Sequence, residues 1–248
     1  MGPDERRAAS FARWIDERVC TRIDRWRWGT LHVNDAFLEV SDTTFLSVES
    51  LPERGLDDLV AEAERVLGDI GVPHRRVVVA GASTAAPLVP AFASAGWGVD
   101  RYRLMVQRAQ PPSPAGAARV EEVGLADYLR FRDDFDPEGR SEVRDSFARY
   151  VDRRIGTRCF LGSIDEVPAS SCLAWAHDGD VQLDGVATLP AFRRRGAATA
   201  VVAAAAEAAR TSGASWIHLY TRSDTGPIPL YRRLGFEDVG EIVEFLAG

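Results

Sequence analysis

The chain has 248 residues, 46% of them hydrophobic and 27% charged, with a formal net charge of -7, ordinary values for a soluble globular protein of one large or two small domains. The acidic balance argues against a general nucleic-acid binder. No apolar run approaches the ~20 residues of a membrane helix, so no membrane partner is expected. The charged start Met1-Gly2-Pro3-Asp4-Glu5-Arg6-Arg7 lacks the apolar core of a signal peptide.

Cys20, Cys159 and Cys172 are widely spaced, with no Cys-x-x-Cys and no nearby His pairing. They predict neither a disulfide framework nor a zinc site, and no metal is expected. A reducing cytoplasm is the default location. All 30 residues of the Lys+Arg count are Arg, a bias that GC-rich codons explain and that suggests a bacterial source.

In chain order, the spacing predicts a helix from Phe11 to Arg25, then strands at Thr30–Val33 and Phe37–Val40. Leu56 to Ile70 is an amphipathic helix, with Leu56, Leu59, Val60, Ala63, Val66 and Leu67 at the 3.6-residue period. Gly71 ends it, with Pro73 just beyond. Arg76–Ala80 reads as a buried strand, Leu88–Ala95 as a short helix, and Tyr102–Val106 as a strand. Trp14, Trp26 and Trp28 read as core anchors rather than a substrate cleft.

Residues 109–117 are a Pro/Ala/Gly linker, dividing the chain into domains at 1–108 and 118–248. Beyond it, Arg119–Val123 is a strand, with helices at Leu125–Asp134 and Ser141–Arg154. Strands follow at Thr157–Ser163, Ser170–Ala176 and Val181–Thr188, the last two joined by a turn containing Asp178-Gly179. Next come an Ala-rich helix at Gly196–Thr211 stopped by Gly213, a strand at Trp216–Tyr220, a short helix at Pro229–Leu234 and a final strand at Val239–Phe245. Alternating strands and helices give an α/β or α+β class.

The segment Leu183-Asp184-Gly185-Val186-Ala187-Thr188-Leu189-Pro190-Ala191-Phe192-Arg193-Arg194-Arg195-Gly196-Ala197-Ala198 reads as a strand, a cationic turn and a helix start. A helix N-terminus offers unpaired N–H groups and partial positive charge, which suits a phosphate. Arginines are unfavourable beside that positive end, so their presence points to an anion rather than to a plain surface. The segment predicts a diphosphate-bearing cofactor.

The pattern Ala91-Phe92-Ala93-Ser94-Ala95-Gly96-Trp97 repeats as Leu230-Tyr231-Arg232-Arg233-Leu234-Gly235-Phe236. Each follows an amphipathic helix and an apolar strand, so two related folding units are expected. The first has nothing comparable to Arg193–Ala198 and carries Phe92 where the second has Tyr231.

From about Arg119 to Phe245 the chain resembles the GCN5-related N-acetyltransferase (GNAT) family. Arg193-x-x-Gly196-x-Ala198 fits the family's Q/R-x-x-G-x-G/A signature, and Val186-Ala187-Thr188-Leu189-Pro190 its fourth strand. Leu230–Phe236, about 35 residues on, fits its Tyr-containing helix. The first half resembles a degenerate GNAT unit. The fold implied is a mixed, mostly antiparallel central sheet flanked by helices, in a tandem arrangement.

The resemblance implies an N-acetyltransferase that uses acetyl-CoA as co-substrate and an amine as acceptor. Val186, Ala187 and Thr188 would hydrogen-bond the pantetheine arm. The turn Arg193, Arg194, Arg195, Gly196 and the helix start Ala197, Ala198, Thr199 would hold the pyrophosphate. Asp224 falls where many members carry an Asn on the cofactor, and an ionised carboxylate cannot donate as Asn does. Tyr231 would face the departing sulfur and donate the proton that the thiolate needs. Gln182 sits where some members carry a catalytic Glu, and Asp184, two residues on, shares its strand face. Asp184 and a water relay are both open as the proton acceptor, with His177 and His218 as weaker candidates. Having no Lys, the protein cannot acetylate lysine side chains of its own. The acidic balance favours a cationic acceptor such as a polyamine, an aminoglycoside or a basic peptide, and association into a homodimer is left open. A non-catalytic acyl-CoA sensor and a structural protein without cofactor are the competing functions.

Overall fold

The computed structural model describes residues 2–53, 55–109, 118–136 and 142–248. Two compact units emerge: Met1–Leu104 with Arg222–Gly226 and Val239–Gly248, and Met105–Thr221 with Pro227–Asp238. Among the described residues no helix is long and apolar enough to cross a membrane.

The first unit contains α1 (Pro3–Val19), β1 (Arg22–Trp26), β2 (Gly29–Val33), β3 (Phe45–Val48), α2 (Leu56–Ile70), β4 (Arg75–Ala80), α3 (Ala82–Ala85), α4 (Leu88–Ser94) and most of β5 (Gly98–Gln107). The second contains β6 (Arg119–Val123), α5 (Leu125–Phe135), α6 (Glu142–Ile155), β7 (Arg158–Ile164), β8 (Val167–His177), β9 (Asp180–Thr188), a 3-10 turn (Pro190–Phe192), α7 (Ala197–Thr211), nearly all of β10 (Trp216–Arg222) and α8 (Ile228–Arg233). The last strand, β11 (Phe236–Ala247), starts in the second unit and finishes in the first.

Both units use one pairing scheme. In the first, β1, β2 and β3 pair antiparallel in sequence order, β3 pairs parallel with β4, and β4 pairs antiparallel with β11. In the second, β6 to β9 pair antiparallel in sequence order and β9 pairs parallel with β10. The mostly antiparallel α/β character expected from the sequence is what forms. The division between units departs from a cut at 109–117. Residues 105–108 join the second unit, and the hydrogen bonds of β11 to β4, with Val243 opposite Val79, carry the C-terminus into the first. Of the linker, only Ala109 lies among the described residues.

Each unit covers its sheet with one amphipathic helix. On α2, Leu59, Val60, Ala63 and Leu67 are buried on one face and join the core of Val77, Val79, Phe92 and Phe245. On α7 the buried face is Val201, Val202, Ala205, Ala206 and Ala209, against Cys172, Ala174, Leu183 and Leu219. Each fully buried Val or Leu contributes roughly 1.5–3 kcal/mol. Small Ala side chains let α7 lie close to the sheet.

The internal repeat is also geometric. After α4, Gly96 is left-handed (φ +83°) and Trp97 meets Phe92 edge-on, 4.9 Å between ring centres. After α8, Gly235 is left-handed (φ +79°) and Phe236 meets Tyr231 edge-on at 6.0 Å.

Two expected elements in the first unit are corrected. The helix starts at Pro3, not Phe11, and stops at Val19. Proline in the first turn followed by Asp4 and Glu5 is a helix start, and Arg22–Trp26 is a strand of a hairpin with β2. The strand expected at 37–40 is a run of turns, because the Asn34 side chain accepts from Ala36 N–H (3.1 Å) while donating to Val19 C=O (2.8 Å). The strand forms instead at Phe45–Val48.

Candidate functional site

The candidate site lies in the second unit, where β9 leaves its neighbours. Its parallel register with β10 runs from Asp180 opposite Trp216 to Leu183 opposite Leu219 and ends there. β9 itself runs on to Thr188. At the same point the β8 register shifts: Leu173 faces Asp184 while Ser171 faces Ala187. One extra residue on β9 makes a bulge, and Gly185 supplies its left-handed backbone (φ +58°). A Cβ at Gly185 would lie 3.0 Å from Leu173 Cγ and 3.1 Å from Tyr128 Oη. The splay gives Val186, Ala187 and Thr188, all half-buried, a strand edge on the β10 side.

Two serines of β8 fix that edge. Ser171 Oγ donates to Gly185 C=O at 3.0 Å and Ser170 Oγ to Ala187 C=O at 2.7 Å. Ser170 Oγ also lies 2.9 Å from Thr188 Oγ1. Both serines are buried.

The chain then turns into α7 with alternating handedness: φ is -63° at Arg193, +62° at Arg194 and +87° at Gly196. Such alternation turns successive N–H groups toward one concave side and suits an anion. Among the described residues the start of α7 has no side-chain cap and no acidic residue in its first turn, so no side chain there takes its first N–H groups. Arg193 Nε donates to Thr188 C=O (3.3 Å), and Arg195 pairs with Asp165 (3.0 Å) and lies over the Phe192 ring. Arg194 and Gly196 are exposed, Ala197 is buried, and Ala198 and Thr199 are half-buried.

The first unit shows what this helix start is not. There α2 also follows a left-handed glycine, Gly55 (φ +77°), but carries Asp57 and Asp58 in its first turn. Both cap glycines are left-handed and the charge is reversed.

Along β9, Gln182 is buried and Asp184 exposed, and Gln182 Nε2 donates to Asp184 Oδ2 at 3.2 Å. Their shared face is thus real. Asp184 also accepts from Gly185 N–H at 2.6 Å. Tyr231 on α8 is buried. Burial raises its pKa well above the ordinary tyrosine value, with the charges of Cys172 and Asp184 adding to the shift. Tyr128 on α5 is pushed up to about 12, mainly by burial, against the opposing charge of Arg132 and with help from Asp184. Both phenols keep their protons near neutrality. Cys172 is fully buried and its thiol is likewise driven up, first by burial.

Other candidates stand elsewhere. Asp224 belongs to the first unit and is exposed. Its carboxylate accepts from Arg222 Nε and Thr225 Oγ1, each at 3.3 Å, and the Arg222 hydrogen bond holds its pKa down. His177 lies 3.4 Å from Asp178 at the hairpin turn. His218 is buried on β10 opposite Gln182, its ring between Trp216 and Tyr220. Trp26 is core, its Nε1 donating to Ser47 C=O, and Trp28 packs on the same cluster. Trp14 packs on Phe11.

Sequence reasoning missed Tyr128, Ser170 and Ser171. Gly185 inside a strand pattern was an available sign of a bulge. Tyr128 gave no sign, since an aromatic on an amphipathic helix reads as core.

Residues 126–236 match the model of the acetyltransferase (GNAT) family. No curated relative matches the chain in sequence. In fold the chain is similar to a conserved protein of unknown function from Staphylococcus epidermidis (TM-score 0.70, 13% identity, covering 92% of this chain and 94% of that one). It is similar to a GCN5-related N-acetyltransferase from Kribbella flavida (TM-score 0.67, 18% identity, 100% and 97% covered). It is also similar to a tandem GNAT protein from the clavulanic acid biosynthesis pathway (TM-score 0.57, 16% identity, 81% and 74% covered). Residues 126–236 therefore carry the match to the GNAT family model, in a chain whose fold is that of the GCN5-related N-acetyltransferases.

Proposed function

We propose that the chain transfers an acetyl group from acetyl-CoA to a primary amine of a small molecule or a protein. One observation carries this reading: the splayed edge of β9 runs straight into a cationic, alternating turn and an uncapped helix start. An extended ligand with amides at one end and a diphosphate at the other fits that sequence of features. Val186, Ala187 and Thr188 pair with the pantetheine amides as a neighbouring strand would. The N–H groups from Arg194 to Thr199 take the pyrophosphate, and the Arg193–Arg195 run adds long-range attraction. Asp224, an acceptor already engaged by Arg222 and Thr225, is left outside this set.

The amine attacks the thioester carbonyl, the C–N bond forms and the C–S bond breaks. A backbone N–H beside Thr188 stabilises the oxyanion. Asp184, exposed beside Gln182, attracts the cationic acceptor, and the ammonium's proton passes to water. Tyr231 keeps its proton far above the ~8.5 of a thiol, so it hydrogen-bonds the departing sulfur instead of fully protonating it. The first unit, with Asp57 and Asp58 at its equivalent helix start, is a degenerate copy that takes no diphosphate.

Calorimetry with acetyl-CoA tests the binding half of this reading. One site per chain, with a thermal midpoint that rises with ligand concentration, is expected; absence of heat and of any shift overturns it. Thiol release across a panel of amines tests turnover. Binding without release favours a non-catalytic sensor, a reading that the neutral Gln182 at the family's Glu position supports.

A further inference from the structure

The first unit brings together three side chains that the site above does not use. Asp16 on α1, Cys20 just past its end and His32 on β2 each offer one donor atom, all within 4.8 Å of one another. Asp16 and Cys20 are four residues apart, which places both on one side of the helix end. The Cys20 N–H still closes the last turn onto Asp16 C=O at 2.8 Å. The β1–β2 hairpin then returns His32 to the same place.

The orientation of His32 is over-determined. Its ring stacks on Phe45 at 4.3 Å with 7° between planes. Its Nε2 lies 3.3 Å from Ser47 Oγ, and Ser47 Oγ donates to Thr30 C=O at 3.3 Å. A hydroxyl has one proton, so Ser47 accepts from Nε2–H and the lone pair sits on Nδ1. That Nδ1 is buried without a hydrogen-bond partner, in a side chain 9% exposed, 3.4 Å from Asp16 Oδ2. A lone pair aimed at a carboxylate oxygen inside a protein calls for a proton or a cation between them.

We propose that Asp16, Cys20 and His32 form a three-ligand site for a thiophilic divalent cation, zinc(II) by its donor set, that pins the end of α1 to β2. One thiolate, one imidazole and one carboxylate are zinc ligands, whereas calcium and magnesium take all-oxygen shells. Bond lengths of ~2.0–2.3 Å put tetrahedral donors roughly 3.2–3.8 Å apart. The Asp16–His32 pair already has that spacing. Cys20 has to release its contact to Thr43 C=O (3.7 Å) and close in by about 1 Å to reach it. Two anions, a neutral imidazole and a dication sum to zero charge, which suits burial. The nearby Arg76 guanidinium is occupied by Glu244 and Asp42. Ser47 behind the imidazole is the outer partner that zinc-bound histidines carry. The fourth position is left to water. Linear spacing hides the site, because only the hairpin brings His32 to Cys20.

The test uses the tag-free full chain, stripped with chelator, reloaded with zinc or cobalt(II) and desalted. The expected result is one metal per chain and, with cobalt, a near-ultraviolet thiolate charge-transfer band. That band is lost in Cys20→Ser and kept in Cys159→Ala. Ser47→Ala keeps every ligand and is expected to weaken zinc binding about 10- to 100-fold. Acetyl-CoA binding in the same samples reports folding and is expected to be unchanged, so failure of the metal site is separable from failure of the transferase reading. A parent chain that retains no zinc, cobalt binding without the thiolate band, or Cys20→Ser that binds zinc as well as the parent overturns the proposal.

Discussion

At Gly185 a single hydrogen decides whether β9 bends. An added methyl would meet Leu173 Cγ at 3.0 Å on a backbone already left-handed at φ +58°. Gly185→Ala is expected to lower unfolding free energy in urea by about 1–2 kcal/mol and to weaken acetyl-CoA binding, because relief of the clash re-aims Val186–Thr188. Unchanged affinity would separate the bulge from the cofactor site. Tyr231→Phe keeps the ring contact with Phe236 and removes only the hydroxyl. Acetyl-CoA affinity is expected to hold while turnover falls about 100-fold; equal turnover removes Tyr231 from the mechanism. The burial of the Tyr231 ring was legible because the Gly-aromatic pair after it repeats one found earlier in the chain, with Phe92 at the matching place. Tyr128 was not, because helical spacing records that a side chain is buried and not what its hydroxyl meets.

Among elements, α2 and α7 are a natural experiment on a helix start. Each follows a left-handed glycine, but only α2 has acids in its first turn. Ala198→Asp gives α7 one acid where α2 carries Asp57 and Asp58. It is expected to stabilise the helix by about 0.3–1 kcal/mol and to weaken acetyl-CoA binding at least ~10-fold. Opposite signs in the melt and the titration are the signature; tighter binding would place the diphosphate elsewhere. The Leu56–Ile70 helix was readable to the residue because its apolar period, Gly71 and Pro73 all agree. The first helix was misplaced because its start signal, Pro3-Asp4-Glu5, precedes any apolar periodicity. The turns at 37–40 rest on the buried Asn34 side chain, which is held by its bond to Val19 C=O, a longer-range contact that no local pattern carries.

For the whole molecule, buried acids set the alkaline limit. Tyr128 and Cys159 are both raised to about 12 by burial, against ordinary values of ~10 and ~8.5 in an unfolded chain. Between those limits the native chain binds more protons than the unfolded one, so stability falls as pH rises. Their contribution is full below ~8.5 and is lost as the pH passes through about 12. Urea unfolding free energy is expected to drop from pH ~9 upward, and Tyr128→Phe to make that drop shallower. A slope identical to the parent's would mean that the phenol stays hydrated. The class of fold was legible from alternating elements, but the partner of β11 was not. Its residues read as a strand, and only the folded chain assigns them to β4.

That assignment bears on how the protein emerges from the ribosome. The half translated first borrows its closing strand from the half translated last, so β4 waits with a bare edge until Val239–Ala247 clear the exit tunnel. The vectorial order of synthesis is thereby reversed in the order of completion. Until then the first half carries an unpaired strand edge, a template for association with other chains.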